Sequence, residues 1–203
     1  MVKRKVAVVG SAGSVQTAAA GSCLASEHHK HLGLAEAPDG SIYSTYFERS
    51  ESGGGPAGAV TRVELSRGES VVADGFGKLV GIVVVGEALY VADQSAGVIY
   101  SAPLAALPAH AGGWSTFARL PVPDQLCAGP DGSLFSAQFK VARGSADALA
   151  VRQIHADGSV TPFVAAPEVT KPSGVAYDPE GHRLFVADSG DAAHNGVHIF
   201  PVR

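Results

Sequence analysis

Two copies of one tripeptide, Val91-Ala-Asp93 and Val186-Ala-Asp188, carry carboxylates at the ends of apolar runs. A carboxylate placed there has two uses. It can line a cavity and hold a cation or polar ligand, or it can accept backbone N–H groups and close the turn that follows. Tyr46 and Gln138 occupy the matching places in two further copies of the surrounding pattern, so Tyr46, Asp93, Gln138 and Asp188 form one equivalent set. A different chemistry is offered by His194 and His198, which flank Asn195-Gly196, a dipeptide that favours a tight hairpin turn. Two histidines need a third ligand to hold a metal, and Asp191 is the nearest candidate. His28, His29 and His31 cluster outside the repeated pattern, where adventitious metal affinity is the expectation. Cys127 reads as a small buried thiol. No Gly-x-Ser-x-Gly elbow occurs, and no histidine is placed by the pattern to activate Cys127.

What must position these residues is clearest in Ser173-Gly-Val-Ala-Tyr-Asp-Pro-Glu-Gly-His-Arg-Leu-Phe-Val-Ala-Asp-Ser189. Val175 to Tyr177 is a short strand, Pro179-Glu-Gly181 a turn, and Leu184 to Ala187 a second strand rich in β-formers. The same grammar returns from Gly33 to Tyr43, from Gly81 to Asp93 and from Leu126 to Phe135. Its turn glycines Gly40, Gly86, Gly132 and Gly181 recur at intervals of 46, 46 and 49 residues, a period that marks a repeat architecture. Third strands follow at Val60–Val63, Val98–Tyr100, Ala150–Ile154 and Val197–Phe200. Fourth strands follow at Ser70–Ala73, Ser115–Ala118 and Val160–Val164. Four antiparallel strands in a repeat of this length make one propeller blade. The chain is therefore expected to be all-β, with blades at about 32–77, 78–121, 122–168 and 170–203, the last lacking its fourth strand. Tyr43, Tyr90, Phe135 and Phe185 recur in phase and are expected in the blade cores. An ordinary sandwich also shows closely spaced short strands. It does not require the turn and the aromatic after it to return in phase.

The 203 residues are 46% apolar, with 25 glycines and 12 prolines, as a turn-dense β chain needs. Net charge is −4 with no basic cluster beyond Lys3-Arg4-Lys5, so nucleic-acid binding is not expected. No apolar run in the repeats is long enough to span a membrane. Residues 1–31 do not match the repeat. Their basic start, apolar stretch and Ala20-Gly-Ser-Cys23 read as a leader, placing the chain periplasmic, extracellular or lipid-anchored, or else as a disordered segment. Lys5-Val-Ala-Val-Val-Gly10 with Gly13 could open a dinucleotide loop only if a helix and a βαβ unit followed. Blade 4 ends without a fourth strand, which leaves an edge that native sheets cover or pair. Either the N-terminal segment closes it, or the chain is a portion of a longer propeller. The Glu51–Pro56 and Lys140–Asp147 loops fall on one side of the repeat, the expected binding face.

Pro123-Asp-Gln-Leu-Cys-Ala-Gly-Pro-Asp-Gly-Ser-Leu-Phe135, and Pro172 to Gly181 with Val186-Ala-Asp-Ser189, resemble the gluconolactonase and senescence-marker-protein (regucalcin-like) and NHL-repeat propellers. The resemblance is one of pattern and covers about residues 32–203. It implies relatives with six blades, a calcium ion on the axis, and hydrolysis of lactones or esters. The family's metal ligands, a Glu, two Asn and an Asp, sit just before the small residue that opens a first strand. Carried over in phase, Leu32 stands at the Glu, Asp124 at the first Asn and Ser173 at the second, and the fourth position falls beyond Arg203. The one asparagine, Asn195, lies elsewhere. Calcium takes about six to eight oxygens, and Asp124 with a serine hydroxyl falls short of that. Two functions follow as expectations. The first is a propeller that binds a small molecule or a protein through its loop face. The second is a calcium-dependent lactone or ester hydrolase, with Asp124 and Asp188 on the metal and Asp93 and Ser173 beside it.

Overall fold

The computed structural model describes residues 7–9, 15–17, 29–48, 55, 57–64, 68–138, 149–165, 168–190 and 195–203. β1 (Ala7–Val9) and β2 (Val15–Thr17) pair with each other as an antiparallel two-stranded sheet. A strand thus follows a strand where a nucleotide loop would need a helix, and the candidate loop from Gly10 to Gly13 lies outside the described residues. β1 and β2 do not join blade 4 as its missing strand.

Four antiparallel sheets follow, each built in chain order and together forming a propeller. Blade 1 is β3 (His29–Glu36), β4 (Ile42–Glu48), β5 (Ala57–Glu64) and β6 (Gly68–Phe76). Blade 2 is β7 (Leu79–Val85), β8 (Ala88–Asp93), β9 (Val98–Pro103) and β10 (Ser115–Arg119). Blade 3 is β11 (Pro123–Ala128), β12 (Leu134–Gln138), β13 (Leu149–Ile154) and β14 (Val160–Ala165). Blade 4 has three strands, β15 (Pro172–Asp178), β16 (Arg183–Asp188) and β17 (Gly196–Pro201). Among the described residues there is no α-helix, only short 3-10 turns. β3 starts at His29, so His29 and His31 belong to blade 1 rather than to the segment before it.

The turns between first and second strands are set by local chemistry. In Ala37-Pro-Asp-Gly-Ser41, Gly40 sits at φ 79 and donates to the Ala37 carbonyl at 2.9 Å, while Asp39 accepts the Ser41 N–H at 2.9 Å. His155-Ala-Asp-Gly-Ser159 repeats those bonds between β13 and β14. An Asx turn with a glycine in the left-handed region is what such sequences favour. One expected turn does not form. Asp188 pairs with Gly196, so Gly196 is inside β17 and the loop before it is longer than a two-residue hairpin. His194 and Asp191 lie outside the described residues.

One apolar cluster fills each space between consecutive blades. Tyr43, Val60, Leu79, Ile82 and Leu89 join blades 1 and 2. Ala92, Ile99, Leu126 and Leu134 join blades 2 and 3. Phe135, Val151, Leu184 and Val186 join blades 3 and 4. Each buried Val, Leu, Ile or Phe contributes about 1.5–3 kcal/mol. The strand alternation assigns one face of each sheet to each neighbour. Cys127 packs beside the third cluster, and burial pushes its thiol up to about 12. That thiol is not a nucleophile at neutral pH.

Candidate functional site at the axis

The first strand of every blade is irregular at one register position. Pairing shifts between His31 and Gly33, Leu79 and Ile82, Pro123 and Leu126, and Pro172 and Gly174. A bulge re-aims the side chain it carries. Here the bulges hold Leu32, Val80, Asp124 and Ser173, in phase with one another. These include the three positions that the family resemblance assigns to metal ligands.

The bulges of blades 1, 2 and 3 lie against one another. Gln125 Nε2 donates to the Leu32 carbonyl at 3.1 Å, joining blade 3 to blade 1 across 93 residues of sequence. Thr45 Oγ1, fully buried, donates to the Val80 carbonyl at 2.6 Å. Glycine makes the approach possible. A Cβ on Gly33 would lie 2.6 Å from the Val80 carbonyl oxygen, and one on Gly81 would lie 2.2 Å from that of Asp124. In blades 1 and 2 the small residue after the bulge is there because the next blade's bulged backbone rests against it.

Opposite the residue that precedes each bulge sits the equivalent set. Tyr46 pairs with His31, Asp93 with Leu79, Gln138 with Pro123 and Asp188 with Pro172. Both carboxylates in it are engaged. Asp93 accepts the N–H groups of Gly77 (2.7 Å), Ser95 (3.1 Å) and Ala96 (3.0 Å), and the Ser95 hydroxyl at 2.8 Å. Asp188 accepts the N–H groups of Thr170 (2.7 Å), Lys171 (2.8 Å) and Gly190 (2.9 Å). Burial opposes ionisation of Asp188, yet those N–H donors and the Thr170 hydroxyl outweigh it and hold the carboxyl below its usual range. Each of these aspartates staples the loop entering its blade to the loop leaving its second strand. Charge-assisted bonds of this kind are the strong ones.

Asp124 differs. It is 6% exposed, and its side chain accepts no hydrogen bond among the described residues. Burial raises its carboxyl to about 6, against a smaller pull from the Lys78 ammonium. Lys78 Nζ donates to Gln94 Oε1 and stands 5.3 Å from the centre of the Phe47 ring. Two amide nitrogens, Gln94 Nε2 and Gln138 Nε2, are buried without a hydrogen-bond partner among the described residues. Lys78, Gln94, Asp124 and Gln138 all belong to the end of blades 2 and 3 where first strands begin and second strands finish. Ser173, by contrast, is exposed and donates only weakly to the Ala187 carbonyl at 3.4 Å. Tyr46 is half-buried, with its ring 5.4 Å from that of His31.

The strand order puts four second-to-third-strand loops at this same end, at residues 49–56, 94–97, 139–148 and 189–195. Most of the two expected binding loops lies outside the described residues.

Sequence reasoning missed Lys78 and Gln94, which carry no motif and matter only through the blade beside them. It also missed a polar group on the outer face of blade 1. There His31 Nδ1 lies 3.0 Å from Ser44 Oγ and 3.7 Å from Glu69 Oε1, and the Thr61 hydroxyl bonds Glu69. The available signal was Ser44, a serine where blades 2 and 4 have Val91 and Val186. Among the described residues no three His, Cys, Asp or Glu side chains gather closely enough to hold a metal ion. No helix among them is long and apolar enough to cross a membrane.

No family model matches the chain, and no curated protein matches it in sequence. Solved structures do. A nidogen–laminin complex matches with TM-score 0.67 at 15% identity, covering 85% of this chain and 61% of that one. A gluconolactonase from Xanthomonas campestris matches with TM-score 0.66 at 20% identity, covering 99% and 66%. A luciferin-regenerating enzyme matches with TM-score 0.69 at 11% identity, covering 98% and 70%. The chain thus spans about 61–70% of the length of these three structures. At such identities the likeness is one of fold, and the fold it shares with all three is the β-propeller.

Proposed function

We propose that this chain is a ligand-binding propeller whose site is the axial end around Asp124, and that it does not work through calcium. The observation that carries this reading is Asp124 itself. A carboxyl that is 6% exposed, accepts no hydrogen bond among the described residues and is raised to about 6 costs the fold stability. Groups kept at such a cost cluster at functional sites. With Lys78 and the amides of Gln94 and Gln138 at the same end, the site offers one acid and several N–H donors. A small molecule bearing both hydroxyls and acceptor oxygens meets that chemistry.

Calcium does not fit these residues. It needs about six to eight oxygens, and the axial tier supplies Leu32, Val80, Asp124 and the exposed Ser173. Asp93 and Asp188 already accept backbone N–H groups. The unpartnered atoms at Gln94 and Gln138 are donors, and the nearby Lys78 ammonium repels a cation.

The second reading is a lactone or ester hydrolase, favoured by the shared fold with a gluconolactonase. A melting experiment separates the two. The protein is heated with and without calcium, and then with a panel of sugar lactones and their hydrolysed acids. The proposal expects no calcium shift, and a shift with one of the small molecules that Asp124→Asn removes. A calcium site would raise stability by about 2.7 kcal/mol at roughly a hundredfold excess over Kd. That shift, together with lactone turnover lost in Asp124→Ala, would establish the hydrolase instead.

A further inference from the structure

The sequence holds one asparagine, Asn195, and Gly196 follows it. An asparagine before glycine is open to cyclic-imide formation, because the glycine nitrogen carries no neighbouring side chain to hinder its attack. Space does not prevent that attack here. Asn195 is exposed, and a Cβ on Gly196 would meet no atom within 4 Å.

What governs the reaction is the state of the Gly196 nitrogen, and the ladder of blade 4 decides that. β16 and β17 pair without a register shift from Arg183 with Pro201 to Asp188 with Gly196. Just beyond, the Val202 N–H donates to the His182 carbonyl at 2.8 Å, so these two residues form a bonding pair. In an antiparallel ladder, bonding pairs alternate with pairs that do not bond. In steps of two from His182, the bonding pairs are Leu184 with Phe200, Val186 with His198, and Asp188 with Gly196. Ser189 agrees with this alternation, since its N–H turns the other way, to the Lys171 carbonyl at 3.0 Å. The Gly196 N–H is therefore held by the Asp188 carbonyl, in the last pair of the ladder. The Asp188 side chain anchors that same pair through the N–H groups of Thr170, Lys171 and Gly190.

We propose that Asn195 is a site of spontaneous covalent modification, converted to aspartate and isoaspartate at a rate set by opening of the Asp188–Gly196 pair. While the pair is closed, its ladder bond holds the Gly196 nitrogen away from the side chain. End pairs open more readily than the middle of a ladder, so the reaction samples local opening rather than global unfolding. On opening, the Gly196 nitrogen attacks the side-chain amide carbon of Asn195. A C–N bond forms, the attacking nitrogen gives up its proton, and the side-chain nitrogen leaves with it as ammonia. Water then opens the imide ring at either carbonyl, giving aspartate or isoaspartate. Both products place a carboxylate where a neutral amide stood, in the 189–195 loop at the axial end. Isoaspartate also lengthens the backbone by one methylene, which displaces Gly196 from its place opposite Asp188.

The test ages the intact protein at mildly alkaline pH and follows its tryptic peptide 184–203 by mass spectrometry, with electron-based fragmentation to tell the two products apart. The isolated peptide, aged alongside, gives the rate without a fold. Hydrogen exchange at the Gly196 amide gives the protection factor of the pair. The intact protein is expected to convert more slowly than the peptide, by the factor that hydrogen exchange reports. Asp188→Ala, which removes the anchor, is expected to convert about fivefold faster than wild type or more, while still folded by circular dichroism. The match of rate to exchange needs no variant, and so decides the matter if Asp188→Ala does not fold. An intact protein that converts as fast as the peptide overturns the proposal, because the ladder then offers no gate. A folded Asp188→Ala that converts at the wild-type rate overturns it as well.

Discussion

Blades 2 and 4 are built from the same sequence pattern and fold to the same register, yet they differ in what surrounds them. Within a blade the devices are equal: Asp93 and Asp188 make matching staples, and the first-strand bulges fall at one position. Between blades the devices are unequal. Gly81 lets the Asp124 backbone approach so closely that a Cβ would sit 2.2 Å from its carbonyl oxygen, whereas the nearest atom to a Cβ on Gly174 is 3.6 Å away. Ile99 is 0% exposed and its counterpart Val197 is 64% exposed. A repeat array therefore carries two kinds of stability, one intrinsic to the unit and one supplied by the neighbour.

The comparison breaks most visibly in its cores. Ile99→Ala removes a fully buried side chain and should cost about 2–5 kcal/mol in chemical denaturation, while Val197→Ala should change stability by no more than about 0.5 kcal/mol. Equal losses at the two positions would mean that Val197 is covered after all.

Next in size is the glycine pair. Gly81→Ala forces backbone against backbone and should cost about 1–3 kcal/mol or more, and Gly174→Ala should be tolerated. The first change should also displace Asp124, which a shifted titration of that carboxyl would report.

The staples should come out alike in the two blades. Asp93→Asn and Asp188→Asn each weaken several charge-assisted bonds and should cost about 1–3 kcal/mol at neutral pH. Asp188 is held below the usual carboxylate range, so its contribution is present above the unfolded pKa of 3.8 and is lost as pH falls through the lower folded value. The gap between wild type and Asp188→Asn should therefore close in acid. A gap that widened in acid would contradict the staple.

The last effect has the opposite sign. Asp124 has a folded pKa of about 6 against 3.8 unfolded, so between those values the folded state binds the extra proton and stability falls as pH rises. Asp124→Asn should be as stable as wild type near pH 4 and more stable above pH 6, by up to roughly 2–3 kcal/mol.

The blades were legible because both of their causes are local. Turn chemistry at Asp39-Gly40 and Asp131-Gly132, and the alternation around Val91 and Val186, are written within a few residues. The equivalence of Leu32, Asp124 and Ser173 came from the family resemblance, carried over in phase, and that each sits in a bulge is shown only by strand register. Which of two uses Asp93 and Asp188 serve was not legible, because their donors at Gly77 and Thr170 lie sixteen and eighteen residues away in chain order. The Asn195-Gly196 turn was misread because blade register, pairing Asp188 with Gly196, overrides a local turn preference. Lys78 and Gln94 left no trace in the pattern, and the His31–Glu69 group left only Ser44, a serine where blades 2 and 4 have valine. Each matters only through a strand brought in from elsewhere, and a lone lysine or glutamine reads as solvated surface.

The claim on which the functional account turns is that Asp124 is kept buried and poorly satisfied at the axis. Carbon-detected NMR titration of the aspartate carboxyls tests it directly. The account predicts one aspartate titrating near pH 6, absent from Asp124→Asn. A spectrum in which every aspartate titrates at or below the ordinary value of 3.8 would contradict it.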